Sequence, residues 1–222
     1  MRNVSLDPIG RLLSLRQKAH PWHGVNVGDN APEEVIAFIE MVPTDTVKYE
    51  VHKATGYLII DRPQKYSNIL PALYGFIPQT YCGKRVGEKA AGILKRPEIV
   101  GDGDPLDIVV LAEKNIAHGD ILVNAIPIGG FRMIDRVEAD DKIVAVLKND
   151  AVYGDIRDIS EMPQAVIDRL RHYFLTYKDM PGASDTRCEI THVYGAKEAH
   201  ELIERAMDDY RDFIEKLLFE GI

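Results

Sequence analysis

The feature that most restricts the fold of this 222-residue chain is the order of its apolar patterns. Strand-type runs come first and helix-type runs last, without regular alternation. VKYEV (47–51) alternates and ATGYLIID (54–61) follows after a short turn, so the pair reads as a β-hairpin. DIVVLAE (107–113), DILVNAIPIGGFRMI (120–134) and DKIVAVL (141–147) read as further strands. Then the period changes. PQAVIDRLRHYFLTYK (163–178) spaces Val166, Leu170, Tyr173, Phe174 and Tyr177 as a helix does, with Pro163 suited to the first turn and Pro181-Gly182 marking the end. AKEAHELIERAMDDYRDFIEKLLFE (196–220) is a second amphipathic helix, with Leu202, Ile203, Ala206, Tyr210, Phe213 and Leu217 on one side. This order predicts an α+β protein, a small antiparallel barrel or curled sheet covered by helices, rather than a doubly wound sheet.

Between these runs the chain is less regular. Residues 1–33 read as an N-terminal extension, polar and closed by HPWHG and NVGDN. VIAFIE (35–40) is apolar. RPQKYSNILPALYGFIPQTY (62–81), rich in proline and aromatics, is expected to be irregular, and CGKRVGEKAAGILKRPEIVG (82–101) a surface loop or hairpin. The length fits a single domain. A net charge of −8 argues against a general nucleic-acid binder. The two cysteines, Cys82 and Cys188, form no CxxC and no disulfide framework. No apolar run approaches a membrane span, and the first residues lack the apolar core of a signal peptide. The expectation is a cytoplasmic protein without membrane attachment. His20 and His23 have no third metal ligand in view and are expected to be structural.

GDGDPLDIVV (101–110) places three aspartates in six residues at the edge of an apolar run. Like charges this close need a cation or open water. A calcium loop fails, because Leu106 and Asp107 stand where that loop needs a ligand and a glycine. A solvated turn and a site for hard divalent cations, Mg2+ or Mn2+, both remain. MIDRVEADDKIVAV (133–146) repeats the theme, with Asp135, Asp140, Asp141 and Lys142 between two predicted strands. Two acidic clusters with Lys48, Arg62, Lys142 and Lys178 as candidate cations suit metal-assisted phosphoryl transfer to water. Lys48 and Glu50, two apart on a strand, share a face. No P-loop accompanies them: Gly87 and Gly92 have its separation, but Ile93 stands at the lysine position. GxSxG and HExxH are absent as well.

These residues, in this order, resemble the soluble family I inorganic pyrophosphatases. The resemblance rests on Asp102-Gly103-Asp104-Pro105-Leu106-Asp107, on Lys48-Tyr49-Glu50, on Asp61-Arg62, on Pro71 to Gly75, on Asp135, Asp140 and Lys142, and on Tyr177-Lys178-Asp179. It implies an OB-like five-stranded antiparallel β-barrel with flanking C-terminal helices, and Mg2+-dependent hydrolysis of pyrophosphate, bound as its Mg complex, to two phosphates. It implies Asp102, Asp107, Asp135 and Asp140 as metal ligands, with Mn2+ as a substitute ion. Asp104 would lie beside the attacking water, Glu50 would touch metal or its water, and Glu40 would serve the outer shell. Lys48, Arg62, Tyr74, Lys142, Tyr177 and Lys178 would bind the phosphates. A homo-oligomer is also implied. Three departures stand out: Leu70 replaces an active-site tyrosine, 82–101 is an insertion, and the N-terminal arm is long. Two rivals remain, a hydrolase of longer polyphosphates or nucleotides and an OB-type binding module with structural metals.

Overall fold

The computed structural model describes residues 18–178 and 188–219, so the expectations for residues 1–17, Asp179 and Pro181-Gly182 lie outside the described residues. The chain runs through β1 (Val35–Met41), β2 (Val47–Val51), β3 (Leu58–Pro63), β4 (Leu73–Phe76), α1 (Lys84–Leu94), β5 (Val100–Gly101), β6 (Asp107–Leu111), β7 (Ile121–Asp135), β8 (Glu138–Ala139) and β9 (Lys142–Leu147). A short 3-10 turn (Ile159–Glu161), α2 (Gln164–Thr176), β10 (Cys188–Gly195) and α3 (Ala196–Phe219) follow.

Five strands close a ring in the order β1–β4–β6–β9–β7, and β7 returns to pair with β1. The expected barrel is present, with one correction. β6 and β9 run parallel, Asp107 beside Lys142 and Val110 beside Ala145, so the sheet is mixed rather than wholly antiparallel. The reason is parity. A closed ring with an odd number of strands cannot alternate direction all the way round, so one neighbouring pair must be parallel. β10 lies outside the ring along β7, while β2 and β3 form a separate two-stranded ribbon.

The central strands are buried on both faces, which accounts for their unbroken apolar runs. Ile108, Val110, Ile143 and Ala145 enter one apolar cluster with Val86 and Ala90 of α1 and Leu202, Ile203 and Ala206 of α3. Their neighbours Val109, Val144 and Val146 enter another with Leu170, Tyr173 and Phe174 of α2. Period-two alternation in the strands thus meets helical spacing in the covering helices.

Three local expectations need correction. Residues 82–101 are neither loop nor hairpin but carry α1 and β5. Glycines 87 and 92 hide the helix, yet Val86 and Ala90 recur one turn apart and are buried. A Cβ on Gly87 would sit 2.5 Å from the amide nitrogen of Gly101, so glycine is what lets α1 close on the segment before the aspartates. Residues 62–81 contain β4, four residues long and too short to show alternation. The second hairpin strand begins at Leu58, because residues 52–57 form the turn. β10, which was not marked from the sequence, does alternate: Cys188, Ile190, His192 and Tyr194 are the more buried residues, and Glu189, Thr191 and Val193 are exposed. The described part of the N-terminal extension is packed against the barrel: Trp22 is buried and its indole donates to the Thr80 carbonyl at 2.8 Å. His23 contacts the Tyr210 hydroxyl at 3.0 Å and His20 the Lys53 carbonyl at 3.1 Å, which fits a structural role.

Candidate active site

One cavity, of about 240 Å³, is lined by all thirteen residues marked from the sequence. They are Glu40, Lys48, Glu50, Arg62, Tyr74, Asp102, Asp104, Asp107, Asp135, Asp140, Lys142, Tyr177 and Lys178. They arrive from seven parts of the chain. The β2–β3 ribbon supplies Lys48, Glu50 and Arg62, the β5–β6 turn supplies Asp102 and Asp104, and the end of α2 supplies Tyr177 and Lys178.

The Asp-Gly-Asp turn is shaped locally. Gly103 has a φ of +77°, a conformation an L-residue adopts at a cost. It lets the Asp104 amide fold back to the Asp102 carboxylate at 2.9 Å. The turn is also tied to the start of α1: the Cys82 amide donates to the Asp104 carbonyl at 2.8 Å, and the Gly103 amide to the Cys82 carbonyl at 3.0 Å. Pro105 ends the turn and β6 begins at Asp107.

Register then sets the centre. Because β6 and β9 pair Asp107 with Lys142, the lysine ammonium reaches Asp107 at 2.5 Å and bonds Asp140 as well. Tyr74 on β4 donates its hydroxyl to Asp107 at 2.6 Å. Lys178 meets Asp135 at 2.6 Å. Lys48 and Glu50 do share a face, 2.9 Å apart, and Lys48 also reaches Asp61 at 3.2 Å. Glu40 is buried and accepts the Val51 amide at 2.7 Å, holding the ribbon onto β1.

The electrostatics are those of a pocket with surplus negative charge. Burial, reinforced by Asp140, pushes the Asp102 carboxyl up to about 8. Burial also pushes Glu40 up to about 8, against the Val51 hydrogen bond. For Lys142, burial opposes the charge, but Asp107 and Asp140 outweigh it and hold the ammonium well above the ordinary lysine range. Burial raises Tyr177 to about 12 and Tyr74 well above its usual value, so both phenols keep their protons. Eight carboxyl groups and five basic side chains line the cavity. A multiply charged anion entering it needs further cations.

Among the described residues no three His, Cys, Asp or Glu side chains converge closely enough to hold a metal. The four aspartates named as ligands share the cavity but are spaced by ammonium groups, Lys142 between Asp107 and Asp140 and Lys178 on Asp135. The donor set nevertheless fits a hard divalent ion. It is all oxygen, and the burial that raises the Asp102 carboxyl is that of a pocket short of positive charge.

Several lining residues were not marked from the sequence. Lys53, in the β2–β3 turn, bonds Asp104. Gln64, Glu138 and Tyr173 also line the cavity. Glu138 lay in plain view within the second acidic cluster, and Tyr173 stands four before Tyr177 on one helical face. Asp141, by contrast, turns away from the pocket. The link between β8 and β9 turns it into the core, where Arg132 donates to it at 2.8 Å and reaches Glu198 of α3 at 3.0 Å.

Known proteins resemble this chain in sequence and in fold. The family model described as inorganic pyrophosphatase matches residues 37–211. The chain is 53% identical over 196 residues to an inorganic pyrophosphatase of Chlamydia trachomatis, covering 86% of this chain and 94% of the relative. It is 35% identical over 206 residues to a soluble inorganic pyrophosphatase of Oryza sativa, covering 91% of this chain and 86% of the relative. The crystal structure of inorganic pyrophosphatase from Thermus thermophilus superposes with a TM-score of 0.72 at 27% identity, covering 87% of this chain and 99% of that one.

Proposed function

This chain belongs to the inorganic pyrophosphatase family, and from that premise we propose that it hydrolyses Mg-bound pyrophosphate at the cavity described above. The observation that carries the proposal is the convergence of seven chain segments on one acidic pocket with a core of fixed lysines.

Asp102, Asp107, Asp135 and Asp140 would hold Mg2+, with Glu50 beside them and Mn2+ as a substitute. When bound, the ions neutralise phosphate oxygens and lower the pKa of water near the substrate. The chain's own residues do the rest. Lys48, Arg62, Lys142 and Lys178 take up the charge of the two phosphoryl groups, the protonated phenol of Tyr177 donates to their oxygens, and Tyr74, whose own proton goes to Asp107, lines the same phosphate pocket. Asp104, half-exposed at the cavity mouth, accepts a proton as a water oxygen bonds to one phosphorus. The bridging oxygen leaves with the other phosphorus, and Lys142, Lys178 and Arg62 hold the charge that develops there. Glu40 keeps the β2–β3 ribbon seated through the Val51 amide.

The homo-oligomer implied by the resemblance remains part of this proposal, as does a cytoplasmic location. Two free, buried cysteines support the location, and no described helix is long and apolar enough to cross a membrane.

The test is phosphate release from pyrophosphate with Mg2+, with EDTA, and by an Asp107→Asn variant. Fast Mg2+-dependent release that the variant loses is expected. ATP and tripolyphosphate, supplied in parallel, are expected to turn over far more slowly. A folded, Mg2+-supplied wild type that releases no phosphate would overturn the proposal, and equal use of ATP would replace it with a broader hydrolase.

A further inference from the structure

The cavity wall holds a third phenol. Tyr173 lies one turn before Tyr177 on α2 and is 6% exposed. Its ring stacks on that of Tyr177 with centroids 5.2 Å apart and planes 15° apart. Phe174 packs against it in a T-shaped arrangement, with centroids 5.3 Å apart and planes 78° apart. Held between these two rings and almost wholly buried, the ring has little freedom to turn.

Packing explains the ring but not where the hydroxyl points. Leu70 and Leu170, in the same apolar cluster, are buried and do not line the cavity. Tyr173 does, together with Gln64, Lys48 and Arg62. The Gln64 amide lies beside the hydroxyl, and the positive charges of Arg62, Lys48 and Lys142 all bear on it. Its surroundings differ from those of Tyr74, whose proton is already given to Asp107. Among the described residues no carboxylate accepts the proton of Tyr173. With Gln64 beside it and three positive charges bearing on it, this hydroxyl has an anion's oxygen as the fitting acceptor for its proton.

We propose that Tyr173, steadied by Gln64, is a substrate-binding residue: its hydroxyl donates a hydrogen bond to a phosphate oxygen held by Lys48 and Arg62. The inference rests on the pyrophosphate reading of the site. Burial raises the phenol above its usual range, so it stays a donor at working pH. Because the stacked ring is already in place before substrate arrives, the bond forms with the bound substrate and persists through the reaction. It therefore contributes to binding more than to the chemical step.

Tyr173→Phe removes the hydroxyl and keeps the stack. Steady-state kinetics with Mg-pyrophosphate, and titration of the Mg2+-supplied protein with methylenediphosphonate, read its effect. A hydrogen bond to a charged acceptor predicts a rise of about tenfold or more in KM and in the diphosphonate Kd, with kcat within about twofold of wild type and the melting temperature unchanged. Gln64→Leu is expected to move both constants in the same direction by less. A Tyr173→Phe enzyme with wild-type KM and Kd would make Tyr173 a packing residue and sink this inference alone. A fall in kcat together with the melting temperature, at constant Kd, would sink it equally. A wild type without pyrophosphatase activity would remove the reading of the site, and this inference with it.

Discussion

Lys142 concentrates the problem this molecule solves. Its side chain is 1% exposed, a position where an unpaired ammonium would be very costly. Asp107 and Asp140 hold it charged from two sides, and register with β6 leaves it nowhere else to point. A cation fixed this firmly needs no reorganisation when charge builds on a departing phosphate. Lys142→Ala is therefore expected to lower kcat about a hundred- to a thousand-fold. Initial rates with Mg-pyrophosphate check this, and a loss below about tenfold would take Lys142 out of the chemistry. The neighbouring position shows how local the assignment is. Asp141 is one residue away, just before β9, yet it is committed to Arg132 in the core.

At the scale of elements, α1 is the part of the fold that the sequence concealed and the site depends on. Its first turn lacks a capping side chain of its own. Asp209 of α3 supplies one from 126 residues away: its carboxylate accepts the amides of Gly83, Arg85 and Val86, each at 3.1 Å. It also pairs with the Arg85 guanidinium at 3.1 Å. Because Cys82, just before this cap, is hydrogen-bonded to the Asp-Gly-Asp turn, the C-terminal helix reaches the candidate metal loop through α1. Asp209→Ala leaves three amides without their acceptor. It is expected to cost about 2 kcal/mol of stability, with Asp209→Asn recovering part. Urea unfolding measures the difference, and an unchanged midpoint would mean that water caps α1 equally well.

At the scale of the whole molecule, folding gathers carboxyl groups that an extended chain would keep apart. Asp102 and Glu40 keep protons up to about 8 in the folded protein, far above their ordinary values. The folded state then binds more protons than the unfolded one between the ordinary carboxyl range and about 8. Stability of the metal-free protein therefore falls as pH rises through that window. Mg2+ binding to the ionised pocket opposes the loss, by about 2.7 kcal/mol at a hundred times its Kd. The melting-temperature gap between Mg2+ and EDTA samples is expected to widen from about pH 5.5 to about pH 8. A gap that does not change with pH would show that the ions bind elsewhere or displace no protons.

The sequence by itself determined the residues that carry charge into the cavity, because each belongs to a local pattern that sets its direction. Lys48 and Glu50 share a face because they are two apart on a strand. The Asp-Gly-Asp-Pro turn points its carboxylates through its own dihedral angles. Tyr177 and Lys178 end a helix whose period is visible in Val166, Leu170 and Tyr173. The order of strands and helices likewise made the class of fold legible. Tertiary structure decided what meets what. That Asp107 lies beside Lys142 follows from the one parallel pairing that an odd closed ring requires. The separation of Asp140 from Asp141 follows from the link between β8 and β9, which turns one toward Lys142 and the other toward Arg132 in the core. β4, β10 and α1 owe their form to partners distant in sequence, as the cap from Asp209 shows. Lys53, Gln64 and Tyr173 line the cavity only because the ribbon and α2 are folded against its mouth. Local periodicity reports which face of an element a residue occupies; only closure of the barrel settles which other element that face will meet.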